Sequence, residues 1–224
     1  MRVKTEAKRE AILAAASQVF QGAGFEGASM GEIAALVGGS KATLYGYFSS
    51  KEELFVAAMN EEAVKEFEPV FGTLDKEVED LQETLQVCGE HVLEFLCSAT
   101  RIQTRRAIIA ESGRSTIGKR FHELGPKVGI KRTAEFLERQ MTLGNLRRSD
   151  PLLAAAQLTA LLECETVTPL MLGIKEKLTK SEIKGSVERA VKTFLAAYAT
   201  SHQPTETSAV GLAIKNSGNT ESYL

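Results

Sequence analysis

Between Ser29 and Glu53 the chain starts three helices in quick succession, and this constrains the fold more than any other feature. Ser29-Met30-Gly31-Glu32 is a capping box, in which the serine hydroxyl accepts from the backbone three residues on and the glutamate reaches back. Met30, Ile33, Ala34 and Val37 give the helix it opens an apolar face. Gly38 and Gly39 stop that helix, because glycine tolerates the left-handed turn that ends one. Ser40 then caps a helix from Lys41 to about Phe48, and Ser50-Lys51-Glu52-Glu53 opens another that should run to Glu68, before Pro69. Ahead of the block, Ile12, Leu13, Ala16, Val19 and Phe20 form the stripe of a helix from Thr5 or Glu6 to Gln21. Gly22 and Gly24 should end it, with Phe25 packing back. Two short helices around a glycine turn, behind a longer helix, make a helix-turn-helix unit.

The segment from Lys41 to Phe48 has an unusual outer face. At about 100° per residue, Leu44 and Phe48 fall together on the inward side. Ala42, Thr43 and Gly46 lie opposite, Tyr45 and Tyr47 flank them, and Lys41 sits at the N-terminal end. A solvated face usually carries charge, whereas small uncharged residues let a helix backbone approach a grooved partner closely. In a DNA major groove Thr43 and the Ala42 methyl would meet base edges, and Lys41 and the tyrosine hydroxyls would meet phosphates. Taken alone, the tyrosines fit equally well as half-buried core residues with wet hydroxyls.

The rest of the 224 residues fits an all-α fold. Long stretches run at helical period, and alternating apolar and polar runs are absent. No stretch reaches ~18 apolar residues without charge, so no membrane partner is expected. Cys88, Cys97 and Cys164 are scattered in no metal or redox spacing. With no secretory signal segment either, they read as reduced thiols of a cytoplasmic protein. Net charge is −2, so nucleic acid is not advertised by overall charge, but the distribution is uneven. Residues 52–83 hold eleven acidic and two basic groups, and residues 101–148 hold twelve basic and four acidic ones. Either these lie on neighbouring helices and neutralise each other, or some of the arginines face an anion. Arg105, Arg106 and Arg114 are the candidates for an anionic effector, with Glu61, Glu62, Glu66 and Glu68 as competing partners.

In the second half, helices are expected at about 75–98, 101–113, 116–123, 127–143, 150–172 and 181–200. Asp150-Pro151 is a strong start, with aspartate as cap and proline in the first turn. The helix that follows is apolar nearly all round and needs cover on every side. The last helix carries a stripe of Ile183, Val187, Ala190, Val191, Phe194, Leu195 and Tyr198. These two helices either close the subunit core or pair with their twofold copies in a four-helix bundle. Dimerisation would then use Leu158, Leu161, Leu162, Val187, Val191, Phe194, Leu195 and Tyr198. Residues 202–224 lack a sustained apolar period and read as a polar, mobile tail.

Nothing here makes a convincing enzyme. His91, His122 and His202 have no partner at metal-ligand spacing, so no metal is expected. Cys88 and His91 are one helical turn apart, which fits an interior histidine beside a buried thiol better than a nucleophile pair. No glycine-rich phosphate loop or other cofactor motif is present.

The N-terminal block resembles the DNA-binding domain of the TetR/AcrR family of bacterial transcriptional regulators. The resemblance rests on Ala15, Phe20, Gly24 and Phe25, on Glu32-Ile33-Ala34, on Ser40 to Tyr45, on Tyr47-Phe48 and on Lys51 to Leu54. It spans about residues 5–56 without a gap. Two positions depart from the family pattern: Gly46, where relatives often carry a larger residue that touches DNA, and Gly39, where many carry valine. More weakly, the run from Arg106 through "GRSTIGKRFHELGP" to "GNLRRSDPLLAAAQL" is similar to the C-terminal domain of AefR-like regulators, over roughly residues 80–200.

The resemblance implies a helix-turn-helix DNA-binding domain at 1–50, a helical effector-binding and dimerisation domain at 51–201, and the tail beyond. It implies a repressor that binds a near-palindromic double-stranded operator as a homodimer and is released by a small molecule. Candidate DNA contacts are Lys4, Ser29, Ser40, Lys41, Ala42, Thr43, Tyr45, Gly46, Tyr47 and Lys51. Candidate pocket residues are Phe67, Phe71, Cys88, His91, Phe95, Phe121 and His122, which would suit a partly apolar compound. Two other functions compete: a helical ligand-binding protein without DNA activity, and a helical enzyme acting on the pocket ligand. Salt-sensitive, specific DNA binding separates the first from both, and turnover separates the enzyme.

Overall fold

The computed structural model describes residues 5–75 and 78–200, and among these the chain is helical apart from one isolated antiparallel bridge, Leu146 to Ala199. The helices are α1 (Glu6–Gly27), α2 (Met30–Val37), α3 (Lys41–Tyr47), α4 (Lys51–Leu74), α5 (Leu81–Leu96), α6 (Ala99–Ser112), α7 (Ile117–Leu124), α8 (Pro126–Thr142), α9 (Pro151–Glu163), α10 (Val167–Met171) and α11 (Lys180–Tyr198). Lys4 and the tail from residue 202 lie outside the described residues.

The expected caps are present. Ser29 accepts from Glu32 N–H at 3.1 Å, Ser40 from Thr43 N–H at 3.2 Å, and Ser50 from Glu53 N–H at 3.1 Å. Gly38 takes the left-handed conformation, with φ 66°, and ends α2. Each such cap contributes on the order of 1 kcal/mol, enough to fix where a short helix starts but not to hold it. Packing does that: Ile12, Phe20, Ile33, Leu44, Phe48, Leu54 and Phe55 are buried in one core. Phe55 meets the Phe20 and Phe25 rings at 4.9 Å each. Ile108 of α6 and Ile117 of α7 reach into this core from the second half of the chain.

A second core gathers Leu85, Leu93, Phe136, Leu137, Leu158, Val187, Val191 and Phe194 from α5, α8, α9 and α11. The α5–α11 contact is close. A Cβ on Gly89 would sit 2.6 Å from Val187 Cγ1, so only glycine lets the two helices meet there.

Several boundaries differ from the sequence reading. The first helix does not stop at Gln21. It passes Gly22, kinks at Gly24 (φ 70°) and adds a last turn that seats Phe25 in the core. Pro69 does not end the fourth helix, which continues to Leu74. An interior proline costs ~3 kcal/mol, and seating Val70, Phe71 and Leu74 against the second core offsets it. The fifth helix begins six residues later than expected, where Asp80 accepts from Glu83 N–H at 3.0 Å. The helix expected over 150–172 is broken after Glu163, where Thr166 turns back to the Leu162 and Glu163 carbonyls at 3.1 and 3.4 Å.

The acidic and basic stretches neutralise each other. Acidic α4 lies beside basic α6, α7 and α8, with Glu53–Arg120 at 3.1 Å, Glu62–Arg101 at 3.5 Å and Glu68–Arg132 at 2.9 Å. Asp75, just past α4, pairs with Arg132 and Arg139 at 3.5 and 3.4 Å. Such pairs are each worth about 0–1 kcal/mol where solvent reaches them. They orient α4 on its neighbours rather than hold the fold.

Candidate nucleic-acid interface and internal cavity

The outward face of α3 is built as its residues dictate. Leu44 and Phe48 are buried and anchor it. Ala42 and Gly46 are exposed on the opposite side, Thr43 is partly exposed, and Tyr45 stands 51% exposed on the flank. A Cβ on Gly46 would meet nothing within 4 Å, so the larger side chains of relatives would project outward from this position. Gly39 likewise has room, with only ordinary contact to Thr43 at 3.9 Å.

Several candidate contacts also hold the frame. The Thr43 and Ser40 hydroxyls lie 3.1 Å apart and engage one another. Tyr47 Oη accepts from Thr5 N–H at 3.0 Å, tying α3 to the start of α1, while its ring packs on the first core. Lys51 Nζ donates to the Ala28 and Glu26 carbonyls at 2.8 and 3.3 Å and lies 4.6 Å from the Phe25 ring centroid. It clamps the corner between α1 and α2. Lys8 Nζ donates to Val37 O at 3.0 Å at the end of α2.

Lys41 shows a relation the sequence did not reveal. Its stem crosses Gly31 at the start of α2, and a Cβ there would lie 2.8 Å from Lys41 Cε and 3.4 Å from Nζ. The lysine stem thus rests against the first turn of α2.

The second site is a cavity of about 230 Å³ enclosed by α4 to α9. Phe67, Phe71, Cys88, Phe95 and Phe121 line it, as expected. His91 and His122 do not. Both are exposed, and His91 Nδ1 turns back to Val87 O at 2.9 Å. Their helices turn both histidines away from the cavity, so His91 is neither the interior histidine expected beside Cys88 nor its nucleophile partner. Cys88 faces Thr73 Oγ1 at 3.5 Å, and burial pushes its thiol pKa up, away from nucleophilic reactivity. Among the described residues no group of three or more His, Cys, Asp and Glu could hold a metal.

The arginine idea fails in the same way. Arg105 pairs with both Glu163 carboxylate oxygens at 2.9 and 3.2 Å. Arg106 donates to the Leu170 and Met171 carbonyls at 2.6 and 3.0 Å, and Arg114 is exposed. None is left waiting for an anionic effector. Sequence reasoning also missed Asn60, Arg101 and Glu163 in the cavity wall. Asn60 was detectable: it is a polar residue in line with Val56, Ala63 and Phe67 on one α4 face.

The expected dimer residues are mostly spent within the subunit. Val187, Val191, Phe194 and Tyr198 are buried in the chain's own core, as are Leu158 and Leu162, while Leu161 and Leu195 are partly covered. Within the single subunit these six are covered by the chain's own helices. The outer side of α9 remains open, with Leu152 56% and Leu153 54% exposed and Ala156, Ala160 and Cys164 exposed beyond them.

Comparison with known proteins matches both halves. Residues 12–58 fit the model of bacterial regulatory proteins of the tetR family, and residues 83–200 fit that of the AefR-like transcriptional repressor C-terminal domain. The HTH-type transcriptional regulator RutR of Escherichia coli K12 is 46% identical over 55 residues, which is 25% of this chain and only 26% of RutR. A crystal structure of a TetR-family regulator from Mesorhizobium loti superposes with a TM-score of 0.78 at 27% identity, covering 89% of this chain and all of that one. The flavonoid-responsive regulator FrrA gives a TM-score of 0.67 at 34% identity, over 87% of this chain and 98% of its own. No helix among the described residues is long and apolar enough to cross a membrane. With a helix-turn-helix at one end, a cavity at the other and a matching model for each half, the chain belongs to the TetR family of bacterial transcriptional regulators, with an AefR-like C-terminal domain.

Proposed function

We propose that the protein is a repressor that holds a near-palindromic operator as a homodimer and releases it when a small, partly apolar molecule fills the cavity. Residues 1–50 form the DNA-binding domain, 51–201 the effector and dimerisation domain, and 202–224 an appended tail. The observation that carries the reading is the outer face of α3: small, uncharged and framed by Lys41 and Tyr45 on a capped helix-turn-helix. Thr43 and Ala42 lie nearest the bases, and Lys41, Tyr45 and Tyr47 reach the backbone. FrrA, by its name a flavonoid-responsive regulator, supports a small organic effector. Two helices could carry the signal. α4 runs from the first core to the cavity, and α7 places Ile117 in that core and Phe121 in the cavity wall. The matched proteins are transcriptional regulators, which supports a regulatory role.

The test is a salt titration of binding to operator and random duplex. Lys41→Ala should weaken binding to both and flatten the log–log salt slope by roughly one unit per lost phosphate contact. Thr43→Ala should change which operator is preferred and leave random-duplex binding alone. If both folded variants bind like wild type, α3 is not the reading helix.

Gly31→Ala is expected to act like a milder Lys41→Ala. The added methyl forces the lysine stem off α2, so affinity for all duplexes should fall about threefold to tenfold while thermal stability holds. An unchanged salt slope in Gly31→Ala would show that the lysine's resting place does not matter.

A further inference from the structure

α7 belongs at once to the first core and to the cavity wall. It is only eight residues long, and Thr116 gives it no side-chain cap, so its neighbours hold it in place. Ile117 is buried in the first core. One turn on, Phe121 packs against that same core and also lines the cavity. α7 lies tight on α6 as well. A Cβ on Gly118 would run into Ser112 Oγ, and that hydroxyl is itself fixed to Ile108 O at 2.6 Å. Close packing of this kind transmits a displacement instead of absorbing it.

The next link is polar. Arg120, beside Phe121 in the chain, pairs with Glu53 Oε1 at 3.1 Å. Glu53 Oε2 reaches one residue past the usual partner of a capping-box glutamate. It accepts from the Ser49 N–H at 2.7 Å and from the Ser49 hydroxyl. Ser49 follows directly on Phe48, the C-terminal cap of α3. The Ser49 hydroxyl first, then its N–H and the Arg120 guanidinium, hold the Glu53 carboxyl below its usual pKa, so the link keeps its charge. The ion pair is open to water, with side chains 47% and 30% exposed. Such a pair is weak, which suits a contact that has to give way when a small molecule binds elsewhere.

Resting on the reading of the cavity as the effector site, we propose that Arg120 is a positioning residue that ties the end of α3 to the cavity. An occupant that displaces Phe121 carries Arg120 off Glu53, and Glu53 then loosens its hold on Ser49. The signal thus runs from α7 through the start of α4 to the end of the reading helix. It biases the two states by the modest factor that coupling between sites requires.

The experiment uses side chains as the probe that fills the cavity. Gly129 lines it, and a Cβ there would meet only Phe71 within 4 Å, at 3.9 Å. Gly129→Met therefore fills the cavity from α8, and Val92→Phe fills it from α5. Operator affinity is measured on the full chain with each filler alone, with Arg120→Ala alone, and with the two combined. Each filler should weaken binding about tenfold, within the usual range of coupling between sites. Arg120→Ala should weaken it about threefold in the open-cavity protein, the size of an exposed ion pair. In the filled proteins it should have no further effect, because the link is already broken. Arg120→Lys should restore binding. The salt slope of Arg120→Ala should match wild type, whereas a lost phosphate contact would flatten it by about one unit. Amide exchange at Ser49 should quicken in Arg120→Ala and in both filled proteins.

The proposal is overturned if Arg120→Ala binds like wild type, if it flattens the salt slope, or if Ser49 exchange is unchanged. It is also overturned if the loss adds in full to that of the fillers, which would leave the signal to α4 alone. In each of these cases, fillers that still weaken operator binding leave the effector reading standing. Fillers that keep their helix content by circular dichroism and bind operator like wild type would sink the effector reading, and the role of Arg120 with it.

Discussion

Phe194→Ala is expected to lower the free energy of unfolding by about 3–5 kcal/mol, the usual range for emptying a buried phenylalanine site. The ring is fully buried and stacks on Tyr198 with centroids 4.6 Å apart. It belongs to the core shared by α5, α8, α9 and α11. That core cannot collapse easily around the void. α5 and α11 are already at closest approach at Gly89, where Val187 occupies the place of a side chain, so the lost contacts are not regained. The measurement is denaturant unfolding at fixed protein concentration, since a dimer's apparent stability depends on concentration. A Phe194→Ala protein that dissociates into fully stable subunits would mean that the ring belongs to an interface after all.

That experiment bears on what can be read from the sequence. The stripe of α11 is plain there, and so is its need for cover. What covers it is not, because a periodicity of apolar residues is the same whether the partner is the chain's own α5 or a second subunit. Here the own-chain helices take the stripe, and most of the dimer residues named from it are core. Short-range chemistry fares better. The serine caps, the Gly38 turn and the inward pair Leu44 and Phe48 depend on neighbours within a few residues, and all are in place. The expected cavity histidines fail for the opposite reason. One helical turn from Cys88 is adjacency on a helix, but it does not say which side of that adjacency faces inward, and His91 points out. Pro69 shows packing overriding a breaker. Asn60 is within reach of sequence reasoning, because a lone amide in an apolar row is a local conflict, and such conflicts collect at functional sites. The pairing of acidic α4 with basic α6 to α8 is legible as charge bias but not as geometry.

Leu153→Glu is expected to convert a dimer into folded monomers and to reduce operator affinity by roughly two to four orders of magnitude, the usual size of an avidity loss. The outward side of α9 is where the charge pattern is most out of keeping with exposure. Leu153, Ala156, Ala160 and Cys164 follow one another along it, all exposed and none charged. An open face of this kind and length marks an interaction surface, and small residues allow a second helix to come close. Beside it, α11 offers Gly185, partly exposed, and Ala196, exposed, on its own outer side, with Arg189 and Lys192 between them. Arg189 is tied to Glu165, which follows α9, so the two helices present one continuous surface. Paired by a twofold axis, that surface gives an isologous four-helix contact. Two copies of the introduced carboxylate would then bring like charges together in an apolar contact, which neither burial nor a partner could relieve. The single subunit should be unaffected, because Leu153 is already 54% exposed there. Sedimentation gives the mass, circular dichroism the retained helix, and operator titration the lost affinity. A half-site duplex separates the two effects: the monomer should bind it as well as a wild-type subunit does, since α3 is untouched. Wild-type protein that sediments as a monomer at micromolar concentration would overturn the dimer outright. A Leu153→Glu protein that stays dimeric would move the interface off α9.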